Sequence, residues 1–114
     1  MQSHFRVEVR RDGPTCVIAV SGELDLASSA ALEEELARIT GSDAEQMIVD
    51  LRSVEFMDST GLSVLVKAHQ QAQDSGQRFA VVRGSQQVER LLTLTGVADR
   101  MTLVDEPEEL LGGS

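Results

Sequence analysis

Apolar and charged side chains alternate along the first part of the chain. Phe5, Val7 and Val9 are separated by charged residues, which is the pattern of a strand with one face on a core and the other in water. Residues 12–14, Asp-Gly-Pro, have the composition of a turn. Residues 15–20 are nearly all apolar, so the sequence predicts an antiparallel hairpin whose first strand lies at a sheet edge.

A helical spacing of apolar residues follows the hairpin. Its members, at i, i+4 and i+7, are Leu32, Leu36 and Ile39. We expect Ser28 to cap the start of this helix and Gly41 to end it. Residues 47–49 are apolar without polar alternation, which is typical of a strand that is covered on both faces in a parallel sheet.

The second half of the chain continues to alternate between helices and strands. A helical period runs from Ser59 and stops at Gly76, and residues 79–82 form another apolar run. Ser85 is placed to cap a further helix, and Gly96 is placed to end it in the left-handed conformation. A strand-helix-strand crossover is therefore predicted, followed by a third helix.

The last predicted elements are a strand at residues 101–104 and a short closing helix with Pro107 in its first turn. The order β-β-α-β-α-β-α-β-α indicates an α/β fold with a mixed, mostly parallel sheet of about five strands and about four helices. Residues 1–114 are long enough for one core. We expect a single domain with its ordered part at about residues 4–111.

Charge and cysteine content disfavour several classes of protein. The formal net charge of −9 repels phosphate backbones and anionic lipid headgroups, so we expect no nucleic-acid partner. No leader segment and no apolar run of about 20 residues is present, so we expect no membrane insertion. The single cysteine, Cys16, sits in an apolar strand and cannot build a disulfide framework or a cysteine-rich metal site. A cytoplasmic protein is expected.

The most informative segment is residues 54–62, which leaves a buried strand and enters a helix. Working groups of open α/β sheets gather at such strand ends. We expect Val54 and Phe56 to anchor the loop in the core, which leaves Asp58 and Ser59 near the solvent. A phosphate on a serine at a helix start would meet unpaired N–H groups and a favourable field. From the spacing alone, a simple helix cap at Asp58 or Ser59, worth about 1 kcal/mol, is the favoured interpretation.

The chain resembles the STAS domain family, and within it the bacterial anti-sigma factor antagonists. The resemblance rests on Gly-Glu-Leu-Asp at residues 22–25, Val-Asp-Leu at 49–51 and Phe-Met-Asp-Ser-Thr-Gly-Leu at 56–62. It continues through Val-Glu-Arg-Leu-Leu at 88–92 and Thr-Gly-Val at 95–97. Of these motifs, Asp-Ser-Thr-Gly-Leu is the most specific, and the likeness covers nearly the whole chain.

The resemblance implies a partner-switching cycle. The unmodified antagonist would bind an anti-sigma factor that is also a serine kinase of the ATPase fold, and the sigma factor would be released. The kinase would phosphorylate Ser59, and a PP2C-type phosphatase would reverse the modification. Whether Thr60, one residue further on, is a minor acceptor stays open. Met57 is interpreted as a packing residue, with partial exposure beside the switch and contact with the partner as a second role. The other expected contact residues are Asp25, Asp58, Thr60 and Gly61.

The residues give little support to an enzymatic function. Ser59 lacks the Gly-x-Ser-x-Gly context of a hydrolase nucleophile, and no phosphate-binding Gly-x-x-x-x-Gly-Lys loop is present. We therefore expect a non-enzymatic protein without cofactor or metal. One alternative within the same family remains open, namely an accessory subunit of a membrane transporter or of a stress-signalling complex.

Overall fold

A five-stranded mixed sheet organises residues 4–111, which are the residues that the computed structural model describes. The strands lie side by side in chain order. The first pair is antiparallel, as the turn at residues 12–14 predicts, and every later pair is parallel. The strands are β1 (Arg6–Asp12), β2 (Thr15–Leu24), β3 (Gln46–Met57), β4 (Arg78–Val82) and β5 (Thr102–Val104).

Within residues 4–111, three α-helices and two short 3-10 helices connect or follow the strands. They are α1 (Leu26–Thr40), α2 (Ser59–Asp74) and α3 (Gln86–Leu94), with 3-10 helices at Val97–Asp99 and Pro107–Glu109. The α/β fold is confirmed, but the expected fourth α-helix is only a 3-10 turn. The Glu109 carboxylate accepts from the backbone N–H groups of Asp105 and Glu106 at 2.8 and 3.0 Å, and two glycines follow at 112 and 113 in the sequence, which oppose continuation of a helix.

The two faces of the sheet are covered differently. Apolar residues of α1, α2 and α3 pack with one set of strand residues into the larger cluster, which includes Ile18, Val49 and Leu65. The opposite face carries a small cluster of Val17, Ile48, Val82 and Val104, against which Leu110 and Leu111 pack. The continuous apolar runs of β2, β3 and β4 are explained by this cover on both sides.

The last half of β3 departs from simple alternation. While β2 advances from Ala19 to Ser21, β3 advances from Asp50 to Ser53, and a second extra residue enters β3 between Val54 and Phe56. Each extra residue is a bulge that turns the following side chains toward the other face. Val54 is buried as predicted, but Phe56 is 43% exposed, so the prediction that it anchors the loop in the core is wrong.

The first helix begins three residues earlier than predicted. Its N-cap is Asp25, whereas Ser28 is the third residue of the helix and forms a capping box with it. The Ser28 hydroxyl donates to the Glu23 carbonyl at 2.8 Å and accepts from the Asp25 N–H at 3.0 Å. Both ends of the box are polar residues of the type favoured at helix starts. Composition alone therefore predicts the wrong residue of this capping box, Ser28 instead of Asp25, as the N-cap.

Candidate functional site

The ends of β2 and β3 lie side by side at the carboxyl edge of the sheet. Leu24 is the register partner of Met57, and the Asp58 N–H donates to the Leu24 carbonyl at 3.2 Å. Asp25 and Asp58 directly follow these paired residues, so the structure brings the starts of α1 and α2 together. Parallel strands present their carboxyl ends at one edge, which is where open α/β sheets carry their functional groups.

Asp58 is the N-cap of α2. Its Oδ1 accepts from the backbone N–H of Thr60 at 2.9 Å and from that of Gly61 at 3.1 Å. The capping interpretation is therefore correct for Asp58 and not for Ser59. Since the carboxylate already occupies these two N–H groups, they are not free to receive a phosphate, contrary to the sequence-based expectation.

Ser59 is the first residue of α2, and its side chain is exposed. Within residues 4–111 its hydroxyl makes no hydrogen bond, whereas its carbonyl accepts from the Ser63 hydroxyl at 2.9 Å. The fold therefore makes no use of the Ser59 hydroxyl. This is the arrangement that a modifiable residue requires, because a group can be added there without removing a contact.

Met57 and Gly61 lie two residues on either side of Ser59, and both are buried. The Met57 side chain is 1% exposed, so the expectation that it contacts a partner directly is wrong. Gly61 is buried, and a Cβ at this position would lie 2.7 Å from Leu24 Cγ and 2.8 Å from the Leu24 carbonyl oxygen. Only glycine allows α2 to begin this close to β2. Thr60 is half-buried.

Asp25 occupies the same place on α1 that Asp58 occupies on α2. Its Oδ1 accepts from the N–H of Ala27 at 3.0 Å and of Ser28 at 3.3 Å, and the residue is half-buried. Asp25 is therefore a structural cap of α1. It follows Leu24, which pairs with Met57 at the end of β3 that leads to Ser59.

Two exposed apolar side chains near this edge were not anticipated as site residues. Leu26, the first residue of α1, is 77% exposed, and Phe56, two residues before Asp58, is 43% exposed. The sequence does not predict Leu26 as an exposed site residue, because it predicts a later start for the helix. The exposure of Phe56 is not predicted either, because the spacing of apolar residues does not reveal the bulges of β3.

A side chain from α3 also reaches the site. The Gln87 Oε1 accepts from the Met57 N–H at 3.0 Å, and the Gln87 Nε2 donates to the Met57 carbonyl at 3.0 Å. These two residues are 30 positions apart in the chain. No local sequence signal links them, so this contact becomes visible only in the folded structure.

The surroundings of the site are acidic. Glu23, Glu55 and the two capping aspartates lie on or next to the ends of β2 and β3. The one pKa shift resolved within residues 4–111 lies elsewhere on the sheet, where the Asp50 carboxylate raises the pKa of Arg52 through a hydrogen bond and burial opposes the effect. An anion added at Ser59 would increase the negative charge that Glu23, Glu55 and the two capping aspartates already give to this site.

Two further features of the described part of the chain bear on the class of protein. No cluster of three or more His, Cys, Asp or Glu residues within it is arranged to hold a metal ion. None of its helices has the length and apolar character needed to cross a membrane.

Comparisons with known proteins agree with this architecture. The family model described as STAS domain matches residues 6–110. The anti-sigma-F factor antagonist RsfB of Mycobacterium tuberculosis is 33% identical over 79 residues, which cover 69% of this chain and 65% of the relative's length. The anti-sigma-B factor antagonist of Bacillus subtilis is 29% identical over 96 residues, or 84% of this chain and 87% of the relative.

A solved structure shows the same fold. The crystal structure of an anti-sigma factor antagonist from Mycobacterium paratuberculosis has a TM-score of 0.85 and 26% identity, and the match covers 92% of this chain and 89% of the other. The family match extends over nearly all of the described residues and includes the helix starts that form the candidate site. The chain therefore belongs to the STAS domain family.

Proposed function

We propose that this chain is an anti-sigma factor antagonist that binds an anti-sigma factor when unmodified and is switched off by phosphorylation of Ser59. The names of the curated relatives support the first part of the proposal. The anti-sigma factor partner would also be the serine kinase, with an ATPase fold, and a PP2C-type phosphatase would restore the active form. Because the cycle consumes ATP, the proposal places the chain in the cytoplasm.

The observation that carries the proposal is the exposed, unused hydroxyl of Ser59 at the start of α2. The neighbouring cap is provided by Asp58, so modification of Ser59 leaves the helix start intact. Thr60 is less suited as the main acceptor, because it is half-buried. The switch therefore needs no unfolding of the domain.

The charge of the site explains why a phosphate would oppose binding. A phosphoserine adds about −1.5 to −2 charges at neutral pH. Asp58 already satisfies the Thr60 and Gly61 N–H groups, so the phosphate stands beside a carboxylate with few free donors to neutralise it. A loss of about two to three decades in affinity corresponds to about 3 to 4 kcal/mol, which one desolvated anion facing an unsuitable surface can supply.

The proposed docking surface for the anti-sigma factor consists of Leu26, Phe56, Ser59 and the half-buried capping residues Asp25 and Asp58. The two apolar side chains supply contact area in place of the buried Met57. Apolar anchors surrounded by polar groups are the usual composition of a specific interface. Gly61 contributes by allowing the close packing beneath this surface.

Binding measurements test the switch. The wild type and the variants Ser59→Asp and Ser63→Asp are titrated by calorimetry with the anti-sigma factor that co-purifies with the wild type. Ser63 is exposed one turn further along α2, so its variant adds the same charge at a matched position. We expect Ser59→Asp to lose affinity by at least about tenfold, and Ser63→Asp to lose much less.

Equal affinities for the wild type and Ser59→Asp would contradict a charge-operated switch. Co-purification also separates the proposal from its alternative. Recovery of a small ATPase-fold protein supports the antagonist function, whereas recovery of a transporter ATPase or of a very large assembly supports an accessory subunit.

A further inference from the structure

At the carboxyl end of β3, one edge is covered by no strand of the described part of the chain. β4 pairs with β3 only as far as the partners Asp50 and Val82. On the opposite edge β2 remains paired with β3 as far as Met57. The backbone groups of β3 beyond residue 50 that point toward β4 therefore need partners of another kind, or water.

The connection from β4 to α3 replaces the missing strand. Gly84 lies so close to β3 that a Cβ there would collide with the Leu51 carbonyl oxygen. Further along, the carboxamide of Gln87 exchanges two hydrogen bonds with the backbone of Met57, each 3.0 Å long. A side-chain amide has the same donor and acceptor as a peptide group, so Gln87 completes the edge as a strand residue would.

The position of Gln87 is fixed by the start of α3. Ser85 caps this helix through the Val88 N–H, and Val88 is fully buried in the core. Gln87 is the second residue of the helix, between these two anchors. Its own side chain is exposed, and we expect each of its hydrogen bonds to be of ordinary, modest strength.

Met57 leads directly into the switch. Its N–H and carbonyl are held by Gln87, and the next N–H, that of Asp58, is held by the Leu24 carbonyl at 3.2 Å. The backbone is thus tied to α3 on one side and to β2 on the other, immediately before Ser59. Release of the Gln87 tie would leave the loop held from one side only.

We propose that Gln87 is a positioning residue for phosphorylation of Ser59, which it presents in one backbone geometry by holding Met57. This inference rests on the proposed function, and it makes the start of α3 part of the switch. It also predicts that a ligand or partner that displaces the Gln87 side chain alters the modification of a residue it does not touch.

Amide hydrogen exchange tests the tie without any partner. The variant Gln87→Met keeps the side-chain length and removes both hydrogen bonds. Gln86→Ala is the matched control, because Gln86 is exposed on the same turn and its side chain makes no hydrogen bond within residues 4–111. We expect exchange of the Met57 N–H to accelerate by about tenfold in Gln87→Met, with no change in Gln86→Ala. Unchanged exchange in Gln87→Met would overturn the inference.

Phosphorylation kinetics test the positioning role. With ATP and the anti-sigma factor kinase that co-purifies with the wild type, we expect kcat to fall about 3- to 10-fold in Gln87→Met and Gln87→Ala. We expect a smaller change in KM, because Leu26 and Phe56 keep their place on the docking surface. All variants are assayed at a temperature at which circular dichroism shows them to be folded, so a loss of stability alone would leave kcat unchanged.

The outcomes separate the two proposals. A wild type that is phosphorylated at the same kcat as Gln87→Met overturns the positioning role and leaves the proposed function standing. A wild type that takes no phosphate at Ser59 overturns the proposed function, and the positioning role with it.

Discussion

The helices α1 and α2 both begin directly after a strand of the parallel sheet, and each has an aspartate as its N-cap. The serines near these two starts have opposite surroundings. Ser28 of α1 is buried, and its hydroxyl bonds the Glu23 carbonyl and the Asp25 N–H. Ser59 of α2 is exposed, and its hydroxyl has no such partners in the described part of the chain. One hydroxyl thus stabilises the fold, and the other is available to chemistry.

The difference between Ser28 and Ser59 shows how a switch can be placed on a stable domain. In α2 the structural tasks fall to Asp58, which caps the helix, and to Gly61, which allows close packing on Leu24. Ser59 lies between them and carries neither task. A residue without a structural task can gain or lose a charged group at little cost to folding. Substitutions at the starts of α1 and α2 test this division of tasks.

The largest effect on stability is expected at the packed start of α2. Gly61→Ala places a methyl group against Leu24 Cγ and the Leu24 carbonyl, and we expect the free energy of unfolding to fall by about 3 kcal/mol because overpacking is costly. Gly41→Ala, at the end of α1, is the control, since its Cβ would meet atoms only at 3.8 Å. Urea denaturation measures both. Equal stabilities would show that α2 is not held against β2 as described.

The next effect compares the two hydroxyls directly. Ser28→Ala leaves the Asp25 N–H and the Glu23 carbonyl without their partner, and we expect a loss of about 2 kcal/mol in the free energy of unfolding. Ser59→Ala removes an exposed hydroxyl, and we expect a change below about 0.5 kcal/mol. A Ser59→Ala variant as unstable as Ser28→Ala would contradict the separation of structure from switching.

Asp58 has two roles, as the cap of α2 and as a negative charge beside Ser59, and we expect its substitution to have a smaller effect on stability. Asp58→Ala removes the cap of α2 and is expected to cost about 1 kcal/mol in chemical denaturation. Asp58→Asn keeps an oxygen acceptor for the Thr60 and Gly61 N–H groups and is expected to cost much less. Because Asn removes the negative charge beside Ser59, we also expect it to reduce the loss of affinity that Ser59→Asp causes. The double variant, titrated as above, checks this coupling.

The smallest effect on stability, with a clear effect on binding, is expected at Leu26. Leu26→Ser changes a side chain that is 77% exposed, so we expect the free energy of unfolding to change by less than about 0.5 kcal/mol. Affinity for the anti-sigma factor should fall, because an apolar anchor is lost. Leu94→Ser is the control, since Leu94 is 75% exposed at the far end of α3. Equal affinities for the two variants would remove α1 from the docking surface.

Much of the fold follows from the sequence because its signals are local. The hairpin turn, the end of α1 at Gly41 and the Ser85 cap are each set by a few neighbouring residues, and the structure confirms them. The motif at residues 58–61 predicts a hydroxyl near the solvent at a helix start, and Ser59 is exposed as the first residue of α2. These features depend on backbone preferences that adjacent residues impose.

The features that the sequence did not predict depend on pairing between distant segments. Phe56 is exposed because β3 takes two extra residues against β2, and its exposure cannot be read from β3 alone. Met57 is buried, and Gln87 reaches its backbone because α3 returns to the end of β3. The sequence predicts Ser28 as the cap of α1, whereas the helix begins at Leu26 and its cap is Asp25.

The most direct test of the account is the mapping of phosphate on the chain by mass spectrometry. The wild type, Ser59→Ala and Thr60→Ala are incubated with ATP and the co-purifying anti-sigma factor kinase. We predict one phosphate on the wild type, located at Ser59, one on Thr60→Ala, and none on Ser59→Ala, with all three proteins folded. Phosphate on a residue other than Ser59 in the wild type, or full phosphorylation of Ser59→Ala, would contradict the account.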